Sequence, residues 1–426
     1  MSAELSQSPQ VSPLSAVEIE AAADRISGVV TPTPLQYSDR LSQVTGAMVY
    51  LKREDLQIVR SYKVRGAYNL LMQLTPDEIA AGVVCSSAGN HAQGFALACR
   101  SMGIHGRVYV PAKTPKQKRD RIRYHGGEFI ELIVGGKTYD LAAEAALDDV
   151  ACTGATLVPP YDDLRTMAGQ GTIAVELLDQ LDGEPDLVVV PVGGGGCISG
   201  ITTYLAQRTS NTAVLGVEPA GAAALVAALA EGAPVTLDHV DQFVDGAAVA
   251  RVGKLPFAAL SAAGDMVSIT TVDEGAVCTA MLDLYQNEGI IAEPAGALSV
   301  AGLLEADIRP GSTIVCLISG GNNDVSRYGE VLERSLVHLG LKHYFLVDFP
   351  QEPGALRQFL DEVLGPNDDI TLFEYVKRNN RDTGEALVGI EMASAADLDG
   401  LLARMNDSEC HVELLETGSP TYRYLT

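Results

Sequence analysis

A chain of 426 residues is more than one ordinary core accommodates, so two or three folding units are expected. Its 30 Lys and Arg against 55 Asp and Glu give a formal charge of -25, which opposes sequence-independent attraction to nucleic acid or to an anionic membrane surface. Hydrophobic residues at 47%, charged residues at 20% and 42 glycines describe a soluble globular protein rich in tight turns and exclude a disordered chain.

Met1 to Ser15 has neither a basic stretch nor an apolar core and reads as a polar arm, not a signal peptide, which points to a cytoplasmic location. Next, Ser61-Tyr62-Lys63-Val64-Arg65-Gly66-Ala67 opens a helical pattern, with Val64, Ala67, Leu70, Leu71 and Leu74 on one face and Ser61 placed as the N-cap. Lys63 then sits at a helix start. There the positive end of the helix dipole, and Arg65 if it is close, disfavour an ammonium and make Lys63 a candidate neutral amine.

Short β-branched runs then alternate with helical patterns: Val83 to Ser86 before Ala92 to Met102, Gly106 to Val110 before Lys116 to His125, and Leu187 to Val192 before Ile198 to Gln207. Such alternation predicts a parallel sheet wrapped by helices, an α/β fold. In the first pair, Ser86, Ser87, Ala88 and Gly89 lead into Asn90 and His91, a turn whose bare N–H groups can hold a carboxylate or phosphate. The basic stretch Lys113 to Arg123 has no aromatic residue within it and reads as a solvated helix face, so no nucleic-acid partner is assigned.

In the third pair an apolar strand feeds Gly193, Gly194, Gly195, Gly196 and Cys197, and four glycines let a backbone close on a phosphate. No Gly-Lys-Ser/Thr follows, which excludes a P-loop. A dinucleotide fingerprint nearly fits, with Ser199 where its third glycine belongs and Glu218 as the ribose-binding acid, so an NAD-dependent dehydrogenase competes at this point. The same glycines and Pro191 interrupt the longest uncharged stretch, Leu187 to Gln207, so no membrane span is expected. A further apolar run, Thr313 to Ile318, ends in Ser319-Gly320-Gly321-Asn322-Asn323, which places a hydroxyl at a strand's carboxyl end. Seven cysteines (Cys85, Cys99, Cys152, Cys197, Cys278, Cys316, Cys410) never fall at a Cys-x-x-Cys spacing, so no disulfide framework and no metal site are expected.

From about residue 341 the pattern changes to β-α-β-β-α-β: His343 to Phe349, Gly354 to Val363, Ile370 to Lys377, Ala386 to Glu391, Ala396 to Met405 and Val412 to Glu416. That order predicts a ferredoxin-like domain that binds instead of reacting.

A phosphate loop without nucleotide machinery, an imine-forming lysine, a carboxylate-sized turn and a neutral hydroxyl together suit pyridoxal phosphate and an amino acid. Through these four motifs, Thr31-Pro32-Thr33-Pro34-Leu35 and Tyr50-Leu51-Lys52-Arg53-Glu54-Asp55, the chain resembles the fold-type II pyridoxal-phosphate enzymes, and within them the biosynthetic threonine deaminases. The resemblance implies a catalytic domain over 1–336, with a smaller subdomain inserted at about 55–155, and an ACT-like regulatory domain over 341–426. It implies that Lys63 forms the cofactor imine and serves as base, that Asn90 bonds the ring hydroxyl, that Gly193 to Cys197 hold the phosphate and that Ser319 faces the ring nitrogen. Ser86 to Gly89 would receive the substrate carboxylate.

The implied reaction converts L-threonine, and L-serine with it, to the 2-oxo acid and ammonia at the start of isoleucine biosynthesis. Isoleucine is the implied inhibitor, valine its antagonist, and a homotetramer the assembly. Two departures from serine racemases of this fold bear on side activities. Ala88 stands where those enzymes carry a second acid/base serine, so racemisation is expected to be weak, and Glu218 lacks the companion carboxylate of their divalent-cation site, which leaves room for a monovalent ion only. A non-catalytic amino-acid sensor on the same fold is the other competing reading.

Overall fold

The computed structural model describes residues 14–375, 382–416, 419 and 422; residues 1–13 of the polar arm lie outside them. The chain forms two compact units, one holding the residues up to Glu274 with Leu284–Asn323, the other Gly275–Asp283 with Asp324 onward.

The first unit is built on two sheets. Six strands lie in the order Leu35–Tyr37, Met48–Arg53, Thr313–Ile318, Leu187–Pro191, Ala213–Pro219 and Val267–Val272. All neighbours are parallel except the first pair. Valine- and isoleucine-rich strands suit this position, because both faces of a parallel sheet are covered. Ile314 sits opposite Leu187 and Cys316 opposite Val189. This register brings the carboxyl ends of two adjacent strands, with Ser319 and the glycine loop beyond them, to one edge of the sheet, where α/β proteins hold ligands. The second sheet is wholly parallel, in the order Ile130–Val134, Gly106–Val110, Val83–Ser86 and Thr156–Leu157. Its strand Val83–Ser86 leads through the serine turn into the helix Asn90–Met102.

Buried charge ties the strand Met48–Arg53 to the helices Lys63–Leu71 and Leu164–Gln180. Arg65 is fully buried and donates through Nε and Nη2 to Glu54, and through Nη1 to Glu176 and Thr172. Lys52, also fully buried, donates to Glu176, Gln180 and the Thr33 carbonyl. These bonds give Thr33, Lys52 and Glu54 their place in the architecture. They also correct the expectation for Arg65, whose charge is spent on Glu54 and Glu176 and does not lower the Lys63 pKa.

Removing one member of such a pair strands a buried charge, which costs about 3–5 kcal/mol. Arg65→Leu is expected to lower the guanidinium unfolding midpoint accordingly, and Arg65→Leu/Glu54→Leu to recover part of the loss. An unchanged midpoint in the single variant would contradict this account.

In the second unit four antiparallel strands lie in the order Asp369–Tyr375, Thr383–Glu391, Lys342–Pro350 and His411–Leu414. With the helices Ala355–Glu362 and Leu398–Asp407 this is the ferredoxin-like arrangement. Arg378–Arg381 and the neighbouring residues 376 and 377, the last part of the strand expected over Ile370 to Lys377, lie outside the described residues. Phe345, Val347, Phe359, Val388, Ile390 and Leu401 form its core, all at alternating or helix-face positions. The helix Tyr328–His338 precedes the sheet, and Ser335 on it bonds Thr279 at 2.9 Å within this unit. No helix among the described residues is long and apolar enough to cross a membrane.

Candidate active site

Lys63 opens the helix Lys63–Leu71, whose N-cap is Tyr62 with no side-chain cap bond. Ser61 is thus not the cap expected from its position. Its backbone pairs instead with Gly320, while Tyr62 N–H donates to the Ser319 carbonyl at 3.2 Å and Gly321 N–H to the Arg60 carbonyl at 2.9 Å. This short antiparallel pairing sets Lys63 beside the loop after the strand Thr313–Ile318. Gly94 brings the other lobe in: a Cβ there would lie 2.8 Å from Val64 N and 2.9 Å from Lys63 C, so only glycine lets the helix Asn90–Met102 approach.

Lys63 Nζ donates to the Pro160 carbonyl at 3.1 Å. Burial pulls its pKa down to about 8, against the attraction of Cys197 and Glu293. About half of such an amine is neutral at pH 8, compared with under about 1% of an ordinary lysine. Cys197 lies close by: its thiol shares a hydrogen bond with the Tyr62 hydroxyl and is pushed up to about 12 by burial, which keeps it protonated. His91 Nε2 pairs with the Val158 carbonyl at 2.8 Å, its Nδ1 is buried with no partner among the described residues, and burial lowers its pKa to about 3, which keeps the ring neutral.

The loop Gly193 to Cys197 joins the strand Leu187–Pro191 to the helix Gly196–Arg208, with Gly195 as N-cap in the left-handed region at φ 86° and no side-chain cap. A Cβ at Gly194 would fall 2.2 Å from the Tyr161 ring and one at Gly196 2.8 Å from Tyr161 Cβ. The loop is therefore glycine on packing grounds as well as for ligand approach. Its helix start has no side-chain cap bond, and N–H groups of this kind are the donor set that a phosphate needs.

In the serine turn Ser86 Oγ is buried with no partner among the described residues, and so is Ser61 Oγ at the start of the lysine segment. A Cβ at Gly89 would meet nothing within 4 Å, so the turn borders open space. Ser87 Oγ accepts from Gly89 N–H at 3.4 Å. Asn90 Nδ2 donates to Glu293 at 2.5 Å and its Oδ1 accepts from Asn322 at 2.8 Å. Ser319 is buried and its hydroxyl donates to the Ala295 carbonyl at 3.1 Å, which leaves its oxygen able to accept. A buried amine with a lowered pKa, an uncapped glycine helix start and orphaned hydroxyls fit pyridoxal phosphate with an amino acid.

A family model described as a pyridoxal-phosphate dependent enzyme matches residues 26–320, and one described as the C-terminal regulatory domain of threonine dehydratase matches residues 333–425. L-threonine dehydratase biosynthetic IlvA of Mycobacterium tuberculosis is 84% identical over 428 residues, with all of each chain covered. The chain belongs to the biosynthetic L-threonine dehydratase family. Among solved structures, the processed form of threonine deaminase isoform 2 from Solanum lycopersicum matches with a TM-score of 0.71 at 36% identity, over 76% of this chain and 95% of that one. Maize serine racemase matches with a TM-score of 0.69 at 30% identity, over 76% and 98%. As a member of the dehydratase family the chain is a pyridoxal-phosphate-dependent lyase.

The dehydrogenase reading fails on Glu218 as well as on family. Its carboxylate accepts from the Leu225 and Val226 N–H groups at 2.8 and 2.9 Å, capping the helix Ala224–Glu231, and burial raises its pKa to about 7. It is neither solvated nor poised for a ribose. No group of three or more His, Cys, Asp or Glu among the described residues could hold a metal. In the basic stretch, Lys116 pairs with Asp120 and Lys118 with Asp245, as a solvated face would. Glu293 and Asn322 are site residues to which the sequence assigns no role.

Proposed function

We propose that the chain deaminates L-threonine to 2-oxobutanoate and ammonia, with L-serine as a second substrate, at the entry to isoleucine biosynthesis in the cytoplasm. Pyridoxal phosphate supplies the electron sink that makes the α-proton removable. Ser86, Ser87, Ala88 and Gly89 hold the substrate carboxylate through the turn's N–H groups and the unpartnered Ser86 hydroxyl. Gly193, Gly194, Gly195, Gly196 and Cys197 hold the cofactor phosphate, and Asn90 presents Nδ2 to the ring oxygen. Lys63 Nζ, its pKa depressed to about 8, would hold the cofactor and serve as the base for the α-proton. Ser319 would stand as a neutral partner at the ring nitrogen, where the cofactor would supply a weaker electron sink than with a carboxylate partner.

The C-terminal unit serves as an isoleucine sensor, with valine opposing, in a homotetramer where two copies complete an effector site. Its support is the regulatory-domain match over residues 333–425 and a single ferredoxin-like sheet per chain.

The observation that carries the catalytic reading is the near-neutral Lys63 amine set against the glycine loop. The experiment is to incubate the cofactor-loaded protein with L-threonine and with L-serine and measure 2-oxo acid and ammonia, with borohydride reduction to fix the cofactor in place. Product in equal amounts and a reduced adduct on the Lys63 peptide are expected. Full loading with no product from either amino acid would overturn the substrate assignment.

A further inference from the structure

A carboxamide can present either its nitrogen or its oxygen to a ligand, and only its hydrogen-bond partners decide which. Asn90 Nδ2 donates to the Glu293 carboxylate, and Asn90 Oδ1 accepts from Asn322 Nδ2 at 2.8 Å. Asn322 Nδ2 also donates to the Val59 carbonyl at 2.8 Å, while Asn322 Oδ1 accepts from Arg121 Nη1 at 2.6 Å. The chain of bonds thus starts at a guanidinium, which only donates, and ends at a carboxylate, which only accepts. Turning over either amide between them would set donor against donor or acceptor against acceptor.

Arg121 lies half-buried on the helix Lys116–Gly126 and pairs with no acid among the described residues. Its guanidinium is partly desolvated and repelled by Arg60, which lowers its pKa, so its geometry serves the bond to Asn322 and not an ion pair. At the far end Glu293 is buried at the N-cap of the helix Pro294–Glu305. Its N–H donates to the Gly320 carbonyl at 3.1 Å, and a Cβ at Gly320 would meet its Oε1 at 2.2 Å, so the carboxylate is packed in place.

We propose that the directed chain from Arg121 through Asn322 and Asn90 to Glu293 holds the Asn90 carboxamide with its nitrogen toward the cofactor's ring oxygen, which makes Arg121 and Glu293 positioning residues. One Nδ2 hydrogen is committed to Glu293 and the second is left for that oxygen. The inference rests on the reading that Asn90 faces the ring oxygen.

The chain is anchored at both ends only while Glu293 is ionised. Burial and Asp245 raise its pKa to about 7, against Asn90, Lys118 and the Asn322 N–H, and Lys63 faces it as well. Protonated below that pH, the carboxyl can donate and no longer holds the far end, so the order rests on Arg121 and the Val59 carbonyl alone. The cofactor dissociation constant is expected to rise as pH falls through about 7, by a step that Glu293→Gln lacks.

The test measures the pyridoxal phosphate dissociation constant of the full-length apoprotein by fluorescence, with kcat and KM alongside. Asn90→Ala, Arg121→Met and Glu293→Gln are each expected to weaken binding about tenfold, the worth of one hydrogen bond. Arg121→Lys keeps a donor-only group and is expected to stay within about threefold of the parent. Arg121→Met added to Asn90→Ala is expected to cost nothing more, whereas a merely structural Arg121 would weaken both backgrounds equally. If Asn90→Ala weakens binding while Arg121→Met and Glu293→Gln do not, the directed chain is wrong and the placement of Asn90 stands. If Asn90→Ala binds as the parent does, that placement fails and takes the chain with it. Should Glu293→Gln not fold, the half-exposed Arg121 decides alone.

Discussion

Lys63→Ala is expected to reduce threonine turnover by roughly 10³-fold or more, because one change removes both the cofactor's covalent anchor and the base. The fold is expected to survive. Lys63 makes one side-chain bond, to the Pro160 carbonyl, and its charge is destabilised by burial, so truncation removes a desolvation cost along with that bond. The melting temperature of the apoprotein is therefore expected to change by only a few degrees, in contrast to Arg65→Leu. Steady-state assays and mass spectrometry after borohydride reduction check both halves. A variant that keeps a tenth of parental turnover, or that carries reduced cofactor on another lysine, would remove Lys63 from its role.

Deleting Leu341–Thr426 is expected to abolish the response to isoleucine and to preserve threonine turnover. Every residue assigned to cofactor or carboxylate lies before Gly320, in the first unit. Cutting at 341 keeps the helix Tyr328–His338 and its bond from Ser335 to Thr279, and removes the four-stranded sheet with its own core. The cut does forfeit the Lys342–Glu333 ion pair and the Tyr344–Glu333 hydrogen bond, both confined to the second unit. Inhibition requires that isoleucine bind the less active state better, and a tenfold preference corresponds to about 1.4 kcal/mol of coupling. Isoleucine titrations of full-length and truncated protein at low and saturating threonine, with molecular mass measured alongside, test this. A truncated protein that is active and still inhibited at the same isoleucine concentration would end the regulatory reading.

The glycine loop and the strand ends were legible because their signals are local. Four consecutive glycines after a valine run can be interpreted without knowing any distant residue, and so can a serine closing an apolar strand. The alternation of strands and helices predicted parallel pairing but not its division into two sheets, and the later change of pattern placed the antiparallel one, with boundaries a few residues adrift at fraying ends. Ser61 shows where local reasoning stops. As a residue type it suits an N-cap, yet the backbone pairing of Ser61 with Gly320 turns the chain so that Tyr62 takes that place.

The amino-acid sequence by itself determined the two kinds of sheet, the family, the cofactor and the lysine that meets it, all from short segments whose chemistry is complete within a few residues. Only the tertiary structure decided what sets the lysine's charge and the asparagine's orientation. Arg65, expected to repel Lys63, is instead neutralised by Glu54 and by Glu176, 111 positions away. Asn90 takes its direction from Glu293 and Asn322, 203 and 232 positions along the chain. Burial and donor–acceptor pairing depend on which groups the fold packs together. No periodicity or spacing encodes them, because each bond is specified by two distant residues and by the backbone that brings them within reach.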